Sequence, residues 1–233
     1  MSSGDPIKEL PRVTDLFVDT GLDKEHLTRL GVDTGNYVHF YGSDCCFAGD
    51  GEYICGKALD NRTGCYILIE LAKLLKGNKN EIFYVFTVQE EIGLYGARTS
   101  AYTIEPAWAI AVDTTTTDDV YTTPTRAIGG GPCITIKDGA MIGSKCINDW
   151  LKDTAKKNSI PLQYDVSEYG ATDALTISFS RGGIQATTVS VPVRNIHTAV
   201  GMAHVQDIKN TIKLLELLLK KPQQFYPQEL LMK

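Results

Sequence analysis

From Gly56 onward, short apolar runs of strand length alternate with stretches whose apolar residues recur at helical spacing, and this constrains the chain more than any other feature. RTGCYILIELAKLLKG (62–77) predicts a helix, with Leu68, Leu71, Ala72 and Leu75 on one face and Gly77 as the stop. EIFYVFTV (81–88) is a β-branched and aromatic run, and GARTSAYTI (96–104) predicts a short helix. AWAIAV (107–112) and CITIK (133–137) predict strands, MIGSKCINDWLKDTAKKN (141–158) a helix, and ATTVSVPV (186–193) a further strand. VQDIKNTIKLLELLLKK (205–221) closes the series as an amphipathic helix. Such alternation predicts an α/β fold, a mostly parallel sheet covered by helices.

The segment before this series reads differently. DLFVDTGLD, GVDTGNYVHFYGSD and GDGEYICG break short apolar stretches with Gly and Asp, which predicts strands and turns, with one short helix over 25–30. Residues 1–52 are therefore read as part of a small β-rich domain, and 53–233 as the larger α/β domain.

Composition narrows the function. With 43% hydrophobic and 22% charged residues the chain is globular, neither disordered nor fibrous. A net charge of −5 provides no electrostatic footprint for nucleic acid or an anionic membrane surface. The apolar runs fall short of a membrane span, and MSSGDPIKEL lacks a signal-peptide core, so a cytoplasmic protein is expected. The cysteines at 45, 46, 55, 65, 133 and 146 form no CxxC pair; free, mostly buried thiols are the simplest reading. A soft-metal site from Cys45, Cys46 and Cys55 is conceivable but lacks zinc-type spacing.

Several acidic and histidine residues fall at predicted strand ends or in the turns beyond, where open α/β sheets place ligands. Asp60 lies in KALDNR before a helix, Glu90 and Glu91 follow EIFYVFTVQ, Asp113 follows AWAIAV, and His197 lies in PVRNIHT after ATTVSVPV. Adjacent carboxylates point in roughly opposite directions, so one of Glu90 and Glu91 can bind a metal while the other faces a water. A carboxylate shared by two cations, closed by further carboxylates or a histidine, is the usual recipe for a two-metal hydrolase. The plainer reading stands beside it: among 28 Asp and Glu some must fall at strand ends, Asp60 could cap the 63–76 helix, and Asp113 could belong to a polar loop, DTTTTDD. GGGP (129–132) lacks the Lys-Ser/Thr of a phosphate loop and reads as a turn, and His204 reads as a helix-start residue.

GKALDNRTG, TVQEEIGLYGA, AVDTT, GATDA and VPVRNIHT, in this order, resemble the M42 family of metallo-aminopeptidases, the glutamyl or deblocking aminopeptidases, some of which carry a glucanase name. The resemblance implies a zinc-exopeptidase-like fold with a small β-rich dimerisation domain, two divalent metal ions (zinc or cobalt), peptide substrates trimmed from the N-terminus, and a homo-oligomer. It implies Asp60 as the carboxylate bridging the metals, Glu91 and His197 as further ligands of one, Asp113 as a ligand of the second, and Glu90 as the general base. Thr172 and Asp173 in GATDA would orient His197 or shape the substrate pocket, and the Asp60–Asn61 peptide would be cis.

The family pattern also carries an upstream His-x-Asp element that supplies a histidine to the second metal. His26, His39 and His204 do not fit it, so an N-terminally truncated pattern with one incomplete site is expected. The rivals are a catalytically impaired assembly subunit and a glucanase. The latter needs carboxylates flanking its substrate about 5–9.5 Å apart, an arrangement ill suited to adjacent Glu90 and Glu91.

Overall fold

The computed structural model describes residues 12–39, 41, 45–119 and 125–220. The chain divides into two compact units, Met1–Tyr41 and Gly42–Lys233. In the first, a single 3-10 turn (Val13–Asp15) precedes helix α1 (Lys24–Arg29), whose N-cap Asp23 accepts a hydrogen bond from His26 N at 2.8 Å. The strands expected over DLFVDTGLD and GVDTGNYVHF do not form among the described residues. Their described residues lie exposed and have no ladder partner among the described residues.

The second unit holds one mixed sheet. Its strands are β1 (Cys46–Ala48), β2 (Tyr53–Gly56), β3 (Trp108–Thr116), β4 (Cys133–Lys137), β5 (Gln163–Val166), β6 (Gln185–Arg194) and β7 (Gly201–His204). They lie in the order β1-β2-β7-β6-β4-β5, with β3 on β6. The longest pairing, β3 with β6, is parallel over nine residue pairs from Trp108↔Gln185 to Thr116↔Val193, and β4 with β5 is also parallel. The shorter pairings, β1–β2, β2–β7, β4–β6 and β6–β7, are antiparallel. Because β1 and β2 continue into this sheet through β7, their hairpin straddles the boundary between residues 52 and 53 drawn from sequence.

The helices are α2 (Leu59–Leu74), α3 (Tyr95–Ile104), α4 (Lys145–Lys157), α5 (Asp173–Ser178) and α6 (Val205–Leu219). Alternation along the strands decides which residues they cover. Val189, Val191 and Val193 of β6 enter the main core with Ile67 and Leu71 of α2, Ile147 and Leu151 of α4, and Leu214, Leu215 and Leu218 of α6. On the other face Ala111 and Ala186 meet Ala174 of α5 in a smaller cluster. Small residues there let α5 approach closely. Strand β6 is buried along eight consecutive residues, and Pro192 lies where its neighbour changes from β4 to β7, so the missing N–H removes no rung on that side.

Two sequence expectations change. In EIFYVFTV, Ile82 and Tyr84 pack on the core and Phe83 is exposed, but Phe86 and Val88 are exposed as well, so the alternation breaks after Tyr84, and the run pairs with no strand among the described residues. Strand β3 runs beyond AWAIAV through Thr116, so Asp113 sits within a strand rather than in a polar loop. Its threonines are β-branched and take partners on β6 from Val191 to Val193. The turn expected at GGGP is held by buried Asp207 of α6, which accepts hydrogen bonds from Gly129 N at 2.6 Å and Gly131 N at 2.8 Å.

Helix α2 approaches β3 at Gly64. A Cβ there would lie 2.3 Å from Asn61 Oδ1 and 2.5 Å from Val112 O, backbone and cap atoms that cannot swing aside. Gly64→Ala is therefore expected to push α2 off β3 and lower stability by about 1–3 kcal/mol. Urea unfolding checks this. The control, Gly182→Ala, has nothing within 4 Å of the added carbon and should leave the midpoint in place.

Candidate metal centre

Each acidic or imidazole side chain of the site stands at a break in regular structure. Asp60 occupies the first turn of α2, where Asp60 (φ −81°, ψ 109°) and Asn61 (φ −119°, ψ 43°) depart from helical geometry. The Asp60–Asn61 peptide is cis. Asn61, not Asp60, caps the helix that follows: its Oδ1 accepts from Gly64 N at 2.8 Å while its Nδ2 donates to Val112 O of β3 at 2.8 Å. The Asp60 carboxylate is thereby left to face the cleft.

Glu90 and Glu91 follow Gln89, whose φ of 59° turns the chain after the 81–88 run. His197 lies in the loop leaving β6, itself at φ 57°. Left-handed backbone at non-glycine residues is uncommon and gathers where side chains must be aimed. These breaks converge. His197 Nε2 lies 3.0 Å from Asp60 Oδ2 and 3.3 Å from Glu91 Oε2. The ligand atoms of all three residues fall within 4.8 Å of one another, in a cleft also lined by Ala58, Asn195 and Thr198.

The electrostatics of the protein alone are unfavourable. Burial, followed by the Asp60 charge, holds the Glu91 carboxyl above its ordinary range, and His197 partly offsets this. Burial, with Asp173, Glu91 and Asp60 adding repulsion, pushes Glu90 up to about 7. Asp113, only 8% exposed, is pushed up to about 8, chiefly by burial, although Thr114 N donates to its Oδ1 at 2.8 Å. Asp60, Glu90 and Asp173 all add to that upward shift, so Asp113 belongs to the same field without joining the trio.

Two carboxylates and an imidazole within 4.8 Å suit a divalent cation of borderline hardness, and such a cation would relieve the repulsion. The residues present therefore fit a metal. Thr172 and Asp173 hydrogen-bond elsewhere than to His197: Thr172 Oγ1 lies 2.6 Å from Thr188 Oγ1, and Asp173 Oδ2 accepts from Thr87 Oγ1 at 2.6 Å. Asp173 Oδ1 is buried without a hydrogen-bond partner. His204 Nδ1 accepts from Gln206 N at 3.0 Å and caps α6. Sequence reasoning missed Asn61 and Thr87; only an Asn three residues before Gly64, and a polar residue closing an apolar run, marked them.

Comparison with known proteins identifies the family. The chain matches the M42 glutamyl aminopeptidase family over residues 2–214. It is 43% identical over 180 residues to a protein of Acetivibrio thermocellus, covering 75% of this chain and 54% of that one. Aminopeptidase APDkam598 from the archaeon Desulfurococcus kamchatkensis superposes with a TM-score of 0.87 at 32% identity, over 94% of this chain and 62% of its own. The Pyrococcus horikoshii TET1 peptidase, whose structure is described as assembling into a tetrahedron or a large octahedral shell, gives a TM-score of 0.73 at 28% identity, over 93% of this chain and 66% of its own. The chain spans about half the length of the curated relatives it matches. With the family matched over most of its residues and the α/β fold shared with solved members, the chain belongs to the M42 glutamyl aminopeptidase family.

Proposed function

We propose that this chain carries the chemistry of a metal-dependent aminopeptidase that removes N-terminal residues from peptides, using two divalent cations, zinc or cobalt. The observation that carries the reading is the convergence of His197 Nε2, Asp60 Oδ2 and Glu91 Oε2, with Glu90 beside them. Asp60, Glu91 and His197 would hold one cation, and Asp113, with Asp60 shared between the two, would contribute to the second. When bound, such cations supply Lewis-acid polarisation of a peptide carbonyl and acidify a water molecule.

The remaining steps belong to side chains. Glu90 accepts a proton from the attacking water on its carboxylate and later delivers it to the departing amine. Its half-buried setting, with Asp173, Glu91 and Asp60 nearby, raises its proton affinity above that of an ordinary carboxylate. Asp173, tied to Thr87, adds negative field to Glu90 and Asp113. Lining by Asn195, Ile196 and Thr198 bounds the cleft on the side of the β6 loop. Assembly into a homo-oligomer is part of the same proposal, supported by the assembly described for the TET1 relative.

Metal binding is the first test. In isothermal titration with zinc, His197→Ala is expected to lose the tight equivalent, since it removes the only neutral nitrogen of the trio. Retention of that equivalent would place the cation elsewhere.

Glu90→Gln separates the base from the ligands. It should leave zinc uptake nearly intact while cutting hydrolysis of amino-acid anilides by roughly 10²–10⁴-fold. Equal loss of metal would mean that Glu90 and Glu91 have exchanged roles. Chelator treatment of the native chain should abolish the same hydrolysis; survival of activity would oppose the metal mechanism.

A further inference from the structure

Three sulfur side chains stand on one rung of the sheet, remote in sequence and unused by the chemistry above. Cys46 is opposite Cys55 in the β1–β2 pairing, and Cys55 is opposite Met202 in the β2–β7 pairing. Directly opposed residues on antiparallel strands project to the same face, with Cβ atoms about 4.5–5.5 Å apart. Cys46, Cys55 and Met202 therefore form a row across three neighbouring strands. The row lies on the face away from the main core, because Ile54, Ala203 and Val193 of the adjacent rung pack into that core.

The row is partly sheltered and closed at one end. Cys55 is buried opposite Cys46, while Cys46 is open to solvent. Beyond Met202 the same rung continues to Arg194, whose Nη1 lies 3.9 Å from Met202 Sδ and whose Nη2 is anchored on Asp119 Oδ2 at 2.8 Å. Cys45, the residue before β1, lies over Gly56, where an added Cβ would meet its Sγ at 2.5 Å. Gly56 follows Cys55 on β2 and faces the opposite side, so the Cys45 sulfur over it is separated from the row.

The geometry points to a binding site for a soft, thiophilic cation, Cu(I) being the type, held by the thiolates of Cys46 and Cys55 and the thioether of Met202. Thiolate and thioether donors select soft cations, whereas the oxygen and nitrogen donors of Asp60, Glu91 and His197 select harder ones, so the two centres sort metals by chemistry. On binding, two S–H bonds break, two sulfur–metal bonds form, both protons pass to solvent, and no electron is transferred. Burial and the neighbouring Cys46 raise the Cys55 thiol, so it stays protonated until a cation of high thiolate affinity displaces the proton. Met202, which has no part in a disulfide, fits the metal role.

The test uses the full chain, anaerobic and with ascorbate, after saturation of the Asp60, Glu91 and His197 trio with zinc. Cu(I) is titrated in competition with the chromogenic chelator bicinchoninate. One equivalent per chain is expected to be withheld from the chelator. Cys46→Ser, a change at an exposed position that should leave the circular dichroism spectrum unaltered, abolishes that retention. Met202→Leu weakens it by at least the roughly 10- to 100-fold that outer partners of a metal site are worth. Cys65→Ser, exposed and off the rung, leaves it unchanged. The proposal is overturned if the native chain withholds no Cu(I), if Met202→Leu binds as tightly as the native chain, or if Cys65→Ser removes as much binding as Cys46→Ser.

Discussion

The parallel pairing of β3 with β6 is the interaction on which the rest of the second unit depends. Parallel strands finish at the same edge of a sheet, and loops leaving that edge are where open α/β folds gather function. The pairing ends at Thr116↔Val193, so the loop that carries His197 leaves the sheet on the side where Asp113 lies near the end of β3. Asn61 hangs the start of α2 from Val112 O on β3, and Gly64 allows that close approach. Asp60 is thus placed by β3, and His197 by β6. A slip of one residue in the register would turn every alternate side chain to the wrong face and separate them.

That placement has an electrostatic cost. Asp60, Glu90, Glu91, Asp113 and Asp173 influence one another within one field that runs from buried Asp113 to exposed Glu91, and each of Glu90, Glu91, Asp113 and Asp173 is held above its ordinary carboxyl range by desolvation first. Desolvation and repulsion act in the same direction here, and hydrogen bonds from Thr87 and Thr114 offset only part of it. A fold stabilised only by its own contacts would not gather carboxylates in this way. The arrangement makes physical sense as one completed by positive charge.

The two-residue period of the strands also separates tasks between the faces of the sheet. Ile54, Ala203 and Val193 join the main core, while Cys55, Met202 and Arg194 on the next rung face the opposite side. Helices of different bulk cover those faces, the leucine and isoleucine side chains of α2, α4 and α6 on one and the alanine contact of α5 on the other. Among the described residues no helix is long and apolar enough to cross a membrane.

The sequence by itself determined the α/β class, because helical and strand periodicities alternate too regularly after Gly56 for any other layering, and the order of five local motifs was enough to place the chain in its family. It also named Asp60, Glu91 and His197, since each lies in a short motif beside a predicted element. Local pattern could not reveal which residue caps α2, because Asp60 and Asn61 are equally good caps and only the contact with Val112 O selects Asn61. Nor could it reveal that Asp113 is buried inside β3, that 81–88 has no strand partner among the described residues, or that Gln163–Val166 and Gly201–His204 are strands. Each of these depends on which distant segment supplies the neighbouring hydrogen bonds. Tertiary structure alone decided that residues 60, 91 and 197 meet within a few ångströms and that Cys46, Cys55 and Met202 share a rung. Strand pairing is a relation between residues far apart in the chain, and no local periodicity encodes it.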